Sequence, residues 1–413
     1  MTLTYLDRIC ISIVGVRIKA AFHLNNEQFG WVLASFALAY ALFEIPSGMW
    51  GDRIGPRAMF IRIVLFWSFF TALTGFATGL ISLLIIRFLF GIGESGTLPN
   101  CLIVISRWFP TNETGRALTW VGTGQQIGSA IAPLIIIPLA RSYGWSMPFF
   151  VNGLIGIVWV VICFSWFKNF PGEMKHISEK EKQKIESGSR YDKRQHIVSF
   201  ACVFKNRTVR SLMFMYFCFQ WANYFFVGWM PVYLQEQRHL SENETKPFIF
   251  ALFIVAIAGL LAGGFVADWL VKKKGVRFGR RLVGMTGMGM CGVLIFLGAI
   301  IAKNNIAIIC LVIANGFYGF GVMSSFGVCS DIGRNSCGTV TGFMNFFGQM
   351  GAFFLAIFFG KIGQLTHNLN YPLFVVTGVL FIGCLFWLII DPLHQLTGLS
   401  KNEEATSKGL APV

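Results

Sequence analysis

Four ionisable residues stand inside apolar sequence and could do chemistry there. Asp7 and Arg8 are adjacent in MTLTYLDRICISIVG, and Arg87 and Glu94 bracket RFLFGIGE. Arg87 and Glu94 are seven residues apart. In a helix that is about two turns, so they share one face at roughly 10 Å separation. Neither is cheap to place in hydrocarbon, and an ionisable residue found there is a functional candidate. A guanidinium forks onto a carboxylate through two parallel hydrogen bonds, which suits Arg to an organic anion. A carboxyl withdrawn from water holds its proton to higher pH, and once ionised it needs a guanidinium nearby. An Arg so engaged is less available to a carboxylate cargo, which is a physical basis for coupling proton and anion. A structural ion pair that fixes helix packing is the competing reading. It accounts for one acid and one base, whereas here there are two of each.

The elements that must hold these groups are membrane helices. The chain has 413 residues, 55% of them hydrophobic and 13% charged, with a mean hydropathy of +0.63. Apolar blocks of about twenty residues, each long enough to cross a bilayer, recur along it. Such runs satisfy their backbone groups in lipid as helices. Twelve spans are expected, near 3–21, 28–50, 58–78, 80–106, 117–140, 147–167, 210–234, 247–271, 282–302, 304–328, 337–363 and 371–391.

The net charge of +15 follows this topology. Arg53, Arg57, Arg107, Arg116, the 168–210 segment, Lys272 to Lys274, Arg277, Arg280, Arg281 and Arg334 all fall in one alternate set of loops. The positive-inside bias makes that set cytoplasmic, with both termini on the same side of an inner (plasma) membrane. The basic excess therefore points to a bilayer and not to nucleic acid. Ten Cys and six His are scattered without ligand spacing, so no metal or cofactor is expected. There is no G-x-x-x-x-G-K-[ST] loop to bind ATP and no nucleophile–base set, so an enzyme is not expected.

The charged stretch 168–209 divides the chain into bundles at 1–167 and 210–391, with a tail at 392–413. The halves read as repeats. GMWGDRIGPR (48–57) and GFVADWLVKKKGVR (264–277) each place Gly four residues before Asp, at Gly48/Asp52 and Gly264/Asp268. Further on, Gln125 precedes Gly128 as Asn345 precedes Gly348. Two related halves put a substrate site between them near the midplane. Gly48 would let helices approach closely, Asp52 would cap a helix or pair with Arg, and Arg53 and Arg57 would hold the cytoplasmic face.

The spacing G-x-x-x-D-R-x-G-x-R between a second and a third span resembles the signature loop of the major facilitator superfamily, where it serves gating. YLDRICIS, YALFEIPSG, RFLFGIGESGTLPN, RWFPTNETGRA, WMPVYL and CSDIGRNSCGTVTGFMNFFGQMG resemble, in order, the motifs of its anion:cation symporter family. That family includes hexuronate, galactonate and glucarate transporters and the sialin-type carriers. The resemblance implies an all-α, twelve-helix membrane protein of two six-helix halves. By the same resemblance Asp7 and Glu94 carry protons, Arg8 meets the substrate carboxylate, and Arg87 exchanges ion-pair partners with the acids. Tyr40, Gln125 and Asn345 resemble the polar contacts to a sugar acid. Tyr224 is a further cavity candidate from its place in the seventh span, and Ser324 and Ser330 are weaker ones.

The sequence departs from the family in two places. Only MTLTYL precedes Asp7, where members have a dozen or more residues ahead of the motif, so the first helix is expected to be truncated, or its start to lie upstream. An incomplete helix would leave Asp7 and Arg8 wet. Glu44 stands where many relatives carry Gln, and is expected to be an interfacial acid paired with a cytoplasmic-side Arg, with a third proton site as the alternative. Asp331 and Arg334 are expected to form a gate or interface pair. The function implied is proton-coupled symport of an organic anion, a sugar acid (hexuronate, aldonate or aldarate), by a monomer whose partners are that anion, protons and the bilayer. The alternatives are an exchanger, a carrier of another carboxylate (aromatic acid, tartrate, dicarboxylate), and a non-transporting sensor or inactive truncated relative.

Overall fold

The computed structural model describes residues 1–110, 113–174, 177–188, 204–333 and 337–394, and every regular element among them is helical. Ten crossings are single apolar stretches long enough to span a bilayer. Two more are composite. The first span is Thr2–Ile13 followed by Gly15–Phe22. The seventh is Arg207–Tyr224, a π-turn at Phe225–Trp229, and Met230–Glu236. The others are Asn26–Ile54, Pro56–Thr74, Leu80–Glu94 with Thr97–Trp108, Thr114–Tyr143, Met147–Trp166, Glu242–Lys274, Val276–Ile300, Asn304–Gly333, Cys337–Thr366 and Asn370–Ile389. The chain thus makes twelve crossings. The seventh is not the unbroken helix that its apolar sequence suggests.

The two halves use the same devices at the same places. The second and eighth spans both begin with a reciprocal cap, which ties down backbone N–H groups that a helix start leaves unpaired. The Asn25 side chain accepts from the Gln28 N–H at 2.8 Å while Gln28 Oε1 accepts from the Asn25 N–H at 3.0 Å. Ser241 and Glu244 repeat this at 3.3 and 2.9 Å. Both spans end on a left-handed glycine, Gly55 (φ 86°) and Gly275 (φ 89°), and the next helix starts at the following residue. His23 and His239, also with positive φ, close the first and seventh spans.

Packing repeats as well. Spans 1 and 5, 2 and 4, and 3 and 6 lie against each other, and so do 7 and 11, 8 and 10, and 9 and 12. The sets meet where span 2 packs on span 11 and span 5 on span 8. Small residues bring backbones together there, as in other membrane bundles. A Cβ added to Gly30 would come within 2.5 Å of the Ala356 carbonyl oxygen, and one on Gly360 within 2.4 Å of that of Asn26.

The face remote from Met1 is closed across this seam. Arg17 forks onto Glu242, with Nη2 donating to Oε2 at 2.8 Å, and Lys19 pairs with Glu236. The Asn26 N–H donates to Gln364 Oε1 at 3.2 Å. Large apolar side chains such as Ile81, Trp166 and Phe265 cover the outside, as a lipid-facing surface requires.

Replacing Gly360 by Val should therefore lower the thermal unfolding midpoint of the purified protein, an overpacking cost of about 1–3 kcal/mol. Gly378→Val, where a Cβ meets nothing within 4 Å, is the control. Equal midpoints for the two variants would contradict the close approach of spans 2 and 11.

Candidate functional site

The fourth span is built to break at Glu94. Gly96 is a poor helix residue and Pro99 has no N–H to give to the carbonyl of Ser95, so the helix stops at Glu94 and restarts at Thr97. Carbonyls at the break are taken up locally: Thr97 Oγ1 donates to the Glu94 oxygen at 2.7 Å and Asn100 Nδ2 to the Gly96 oxygen at 2.7 Å. Glu94 is thereby held at mid-depth, fully buried.

Arg8 meets it there. Its Nε donates to Glu94 Oε1 at 3.0 Å and its Nη2 donates to the same oxygen. The guanidinium is boxed by aromatic rings, with Tyr5, Phe36 and Tyr40 centroids at 4.7, 5.0 and 5.0 Å. Such cation–π contacts hold a desolvated charge in place. Tyr5 Oη also accepts from Nη1 at 3.4 Å. Asp7 and Arg8 are both buried, so the wet arrangement considered for a short first helix is not what the structure has. The reason is that residues 2–13 form a helix packed along span 5, where a Cβ on Gly128 would collide with the Thr2 carbonyl.

Arg87 is buried over Phe36 and Phe90, at 5.1 and 4.5 Å. No carboxylate lies within 4 Å of it among the described residues, and its Nε has no partner. The family resemblance gives Arg87 the exchange of partners with the acids; in this structure the acid of its own helix is held by Arg8 instead. Glu94 Oε2 and Asp7 Oδ1 are buried without a hydrogen-bond partner, and Asn152 of span 6 lies beside Asp7 without closing a bond.

On the Met1 side of this cluster, Asn345 of span 11 donates its amide to Glu44 Oε1 of span 2, and both residues are buried. This corrects the expected pairing of Glu44 with an arginine. Pro46 lies inside the helix next to Glu44, and the side chain turns inward to the facing half rather than to the basic rim. Nothing local marks this bond, because its partners are 301 residues apart.

Other candidates are placed as follows. Tyr40 is buried against Arg8. Gln125 lies beside Met1, with Nε2 3.8 Å from its sulfur. The Tyr224 hydroxyl donates to the Leu33 carbonyl at 2.8 Å, which ties span 7 to span 2 just before the π-turn and spends that hydroxyl on the seam. Ser324 is buried, whereas Ser330 is exposed and lies away from the cluster.

At the Met1 face, a Cβ on Gly48 would sit 3.1 Å from Pro99, a close approach of spans 2 and 4. Its repeat partner Gly264 faces open space, and the tight contact belongs to neighbouring Gly263, over the Phe320 backbone. Arg53 is exposed; Arg57 donates to the Phe164 carbonyl, tying span 3 to span 6. Asp268 and Asp331 both meet Arg280, at 3.7 and 3.0 Å. Asp331 thus has Arg280 of span 9 as its partner, while Arg334 and the side chain of Asp52 lie outside the described residues. The nine described cysteines are free, and no metal-ligand cluster is found among the described residues.

Two sets of six helices around a buried cluster of acids and guanidiniums define a secondary-transporter architecture. The chain belongs to the major facilitator superfamily, whose family model matches residues 1–356. It is similar to the hexuronate transporter of Bacillus subtilis, 30% identical over 83% of this chain and 81% of that one. The D-galactonate transporter of Escherichia coli is 28% identical over 94% and 93%. A probable sulfoacetate transporter of Cupriavidus necator is 27% identical over 98% and 94%. The structure superposes on a bacterial homologue of the lysosomal transporter Spinster with a TM-score of 0.74 at 18% identity, over 97% of this chain and 96% of that one. The resemblance to the anion:cation symporter family and the twelve-helix fold both stand on these relatives. The chain is a multi-pass membrane transporter and not an enzyme.

Removing one partner of a buried ion pair strands the other and costs about 3–5 kcal/mol. Glu94→Ala should accordingly lower the unfolding midpoint more than Arg87→Met does, since no carboxylate among the described residues lies within ion-pair distance of Arg87. The reverse order in a thermal melt would contradict the pairing described.

Proposed function

We propose that the chain is a proton-coupled symporter that moves a monoanionic sugar acid, of the hexuronate or aldonate kind, into the cell. The observation that carries this reading is the Arg8–Glu94 pair, a guanidinium of span 1 held by a buried acid midway along span 4. A cargo carboxylate suits the same guanidinium fork and competes with Glu94 for it. Protonating Glu94 removes the competitor.

Counting charges supports the coupling. Asp7 and Glu94 balance Arg8 and Arg87, so the four are neutral together when all are ionised. A monoanion adds one negative charge in a site where net charge is expensive, and one bound proton cancels it. Tyr40, Gln125 and Asn345 are the proposed contacts to the cargo hydroxyls. The names of two of the relatives, hexuronate and D-galactonate transporters, support the substrate class.

The working units are 1–167 and 210–391, joined by 168–209, with 392–413 as a tail. They rock about the 2–11 and 5–8 seams, and one chain holds a complete site, so a monomer suffices. The basic face with both termini is cytoplasmic, in the inner (plasma) membrane. Gly48, Asp52, Arg53, Arg57 and Asp268 act at that face as gating positions.

Proteoliposomes test this. An inward proton gradient should accelerate uptake of glucuronate or gluconate by the wild type. Glu94→Gln should lose that acceleration yet keep exchange of preloaded cargo. Arg8→Ala should lose binding by more than about thirtyfold, the cost of removing one side of a buried charge pair. Wild-type uptake indifferent to the gradient would contradict symport, and full affinity in Arg8→Ala would remove Arg8 from the site.

A further inference from the structure

Glu44 is the buried ionisable group that the coupling scheme leaves without a task. It lies one helical turn past Tyr40, on the same face of span 2. Tyr40 is one wall of the box around the Arg8 guanidinium, at 5.0 Å. Arg8 and Tyr40 are both within electrostatic reach of Glu44. Its Oε1 accepts from Asn345, and its Oε2 is buried with no hydrogen-bond partner. The cluster therefore has two poles, Arg8 and Glu44, with the Tyr40 ring between them. One helical turn separates Tyr40 and Glu44, about 5–6 Å along the axis. A hexose-derived acid held by its carboxylate at Arg8 would extend its other end toward the second pole.

We infer that Glu44 selects the cargo: it accepts hydrogen bonds from the hydroxyl end of a sugar monoacid and repels the second carboxylate of a diacid. The chemistry at the two ends differs in kind. A hydroxyl can donate to Oε2 directly, or displace the Asn345 amide from Oε1 and leave that amide free to bond another cargo oxygen. A terminal carboxylate has no hydrogen to donate, and it either meets a like charge on Glu44 in a buried site or requires Glu44 to hold a further proton, and both weaken its binding. A glutamine here would present a neutral amide that can donate to either end. The carboxylate thus narrows specificity through repulsion of the wrong ligand, as selective sites commonly do.

The inference rests on the sugar-acid reading above, and the test separates the two. Binding of glucuronate, gluconate and glucarate to the purified full-length chain is measured by calorimetry. These three acids share a carbon skeleton and differ at its ends. The wild type is expected to bind at least one of the monoacids about tenfold or more tighter than glucarate. Glu44→Gln is expected to narrow that gap to within about threefold, chiefly by gaining affinity for glucarate. Equal wild-type affinity for monoacid and diacid would overturn the inference while leaving the sugar-acid reading intact. So would a Glu44→Gln variant that weakens both alike, the result a purely structural role predicts. If that variant does not fold, the wild-type ratio alone decides. Failure of the wild type to bind any of the three would overturn the sugar-acid reading and this inference with it.

Discussion

The structure turns on one buried contact, the guanidinium of Arg8 against the carboxylate of Glu94. Taking two charges out of water is costly, and their mutual attraction compensates only while both are present and well placed. Neither can leave without a substitute. The fold supplies the placement: the Glu94 break in span 4, the aromatic box of Tyr5, Phe36 and Tyr40, and a first helix pressed onto span 5. In the proposed function this leaves a role for an incoming anion, because only Glu94 Oε1 takes the fork and Arg87 has no carboxylate within ion-pair distance among the described residues. A buried pair is weak evidence for stability, and in the proposed function its use lies in exchange of partners.

Around that contact the helices pack as two sets of six. Within each half the same three pairings recur, and between halves only the 2–11 and 5–8 seams are extensive. The face remote from Met1 is tied by Arg17 with Glu242 and Lys19 with Glu236, and by the glycine approaches at Gly30 and Gly360. Ties of this kind must break for that face to open. They are partly exposed ion pairs, individually weak. The Glu44–Asn345 bond crosses the same seam closer to the Met1 face. In the proposed function, cargo that competes for either partner acts on the seam as well as on the cluster.

Much of this was legible from the residues. Apolar blocks located the crossings, because bilayer thickness sets a length that sequence reports directly. The four central charges stood out for the same reason, since hydrocarbon makes such residues rare. Pairing was the harder matter. Arg87 and Glu94 lie on one helix, and their spacing suggested that they answer each other; the break at Ser95–Gly96 lets Arg8 take Glu94 from across the bundle. Glu44 with Asn345 and Arg280 with Asp331 are contacts between distant segments, which local spacing does not encode. The π-turn after Tyr224 holds Gly228 and precedes Pro231, which has no N–H to give to the Val227 carbonyl, but those two residues mark a disturbed helix without saying which form it takes. The repeat between halves was visible in Gly-x-x-x-Asp, yet the tight glycine of the second half is Gly263 and not Gly264.

The central claim is that a carboxylate cargo and Glu94 compete for Arg8, with a proton settling the competition. It is tested most directly by mixing the purified protein with a sugar monoacid in weakly buffered solution and following the pH. The account predicts uptake of close to one proton per cargo bound, and its loss in Glu94→Gln despite retained binding. Tight binding by the wild type with no proton taken up would contradict it.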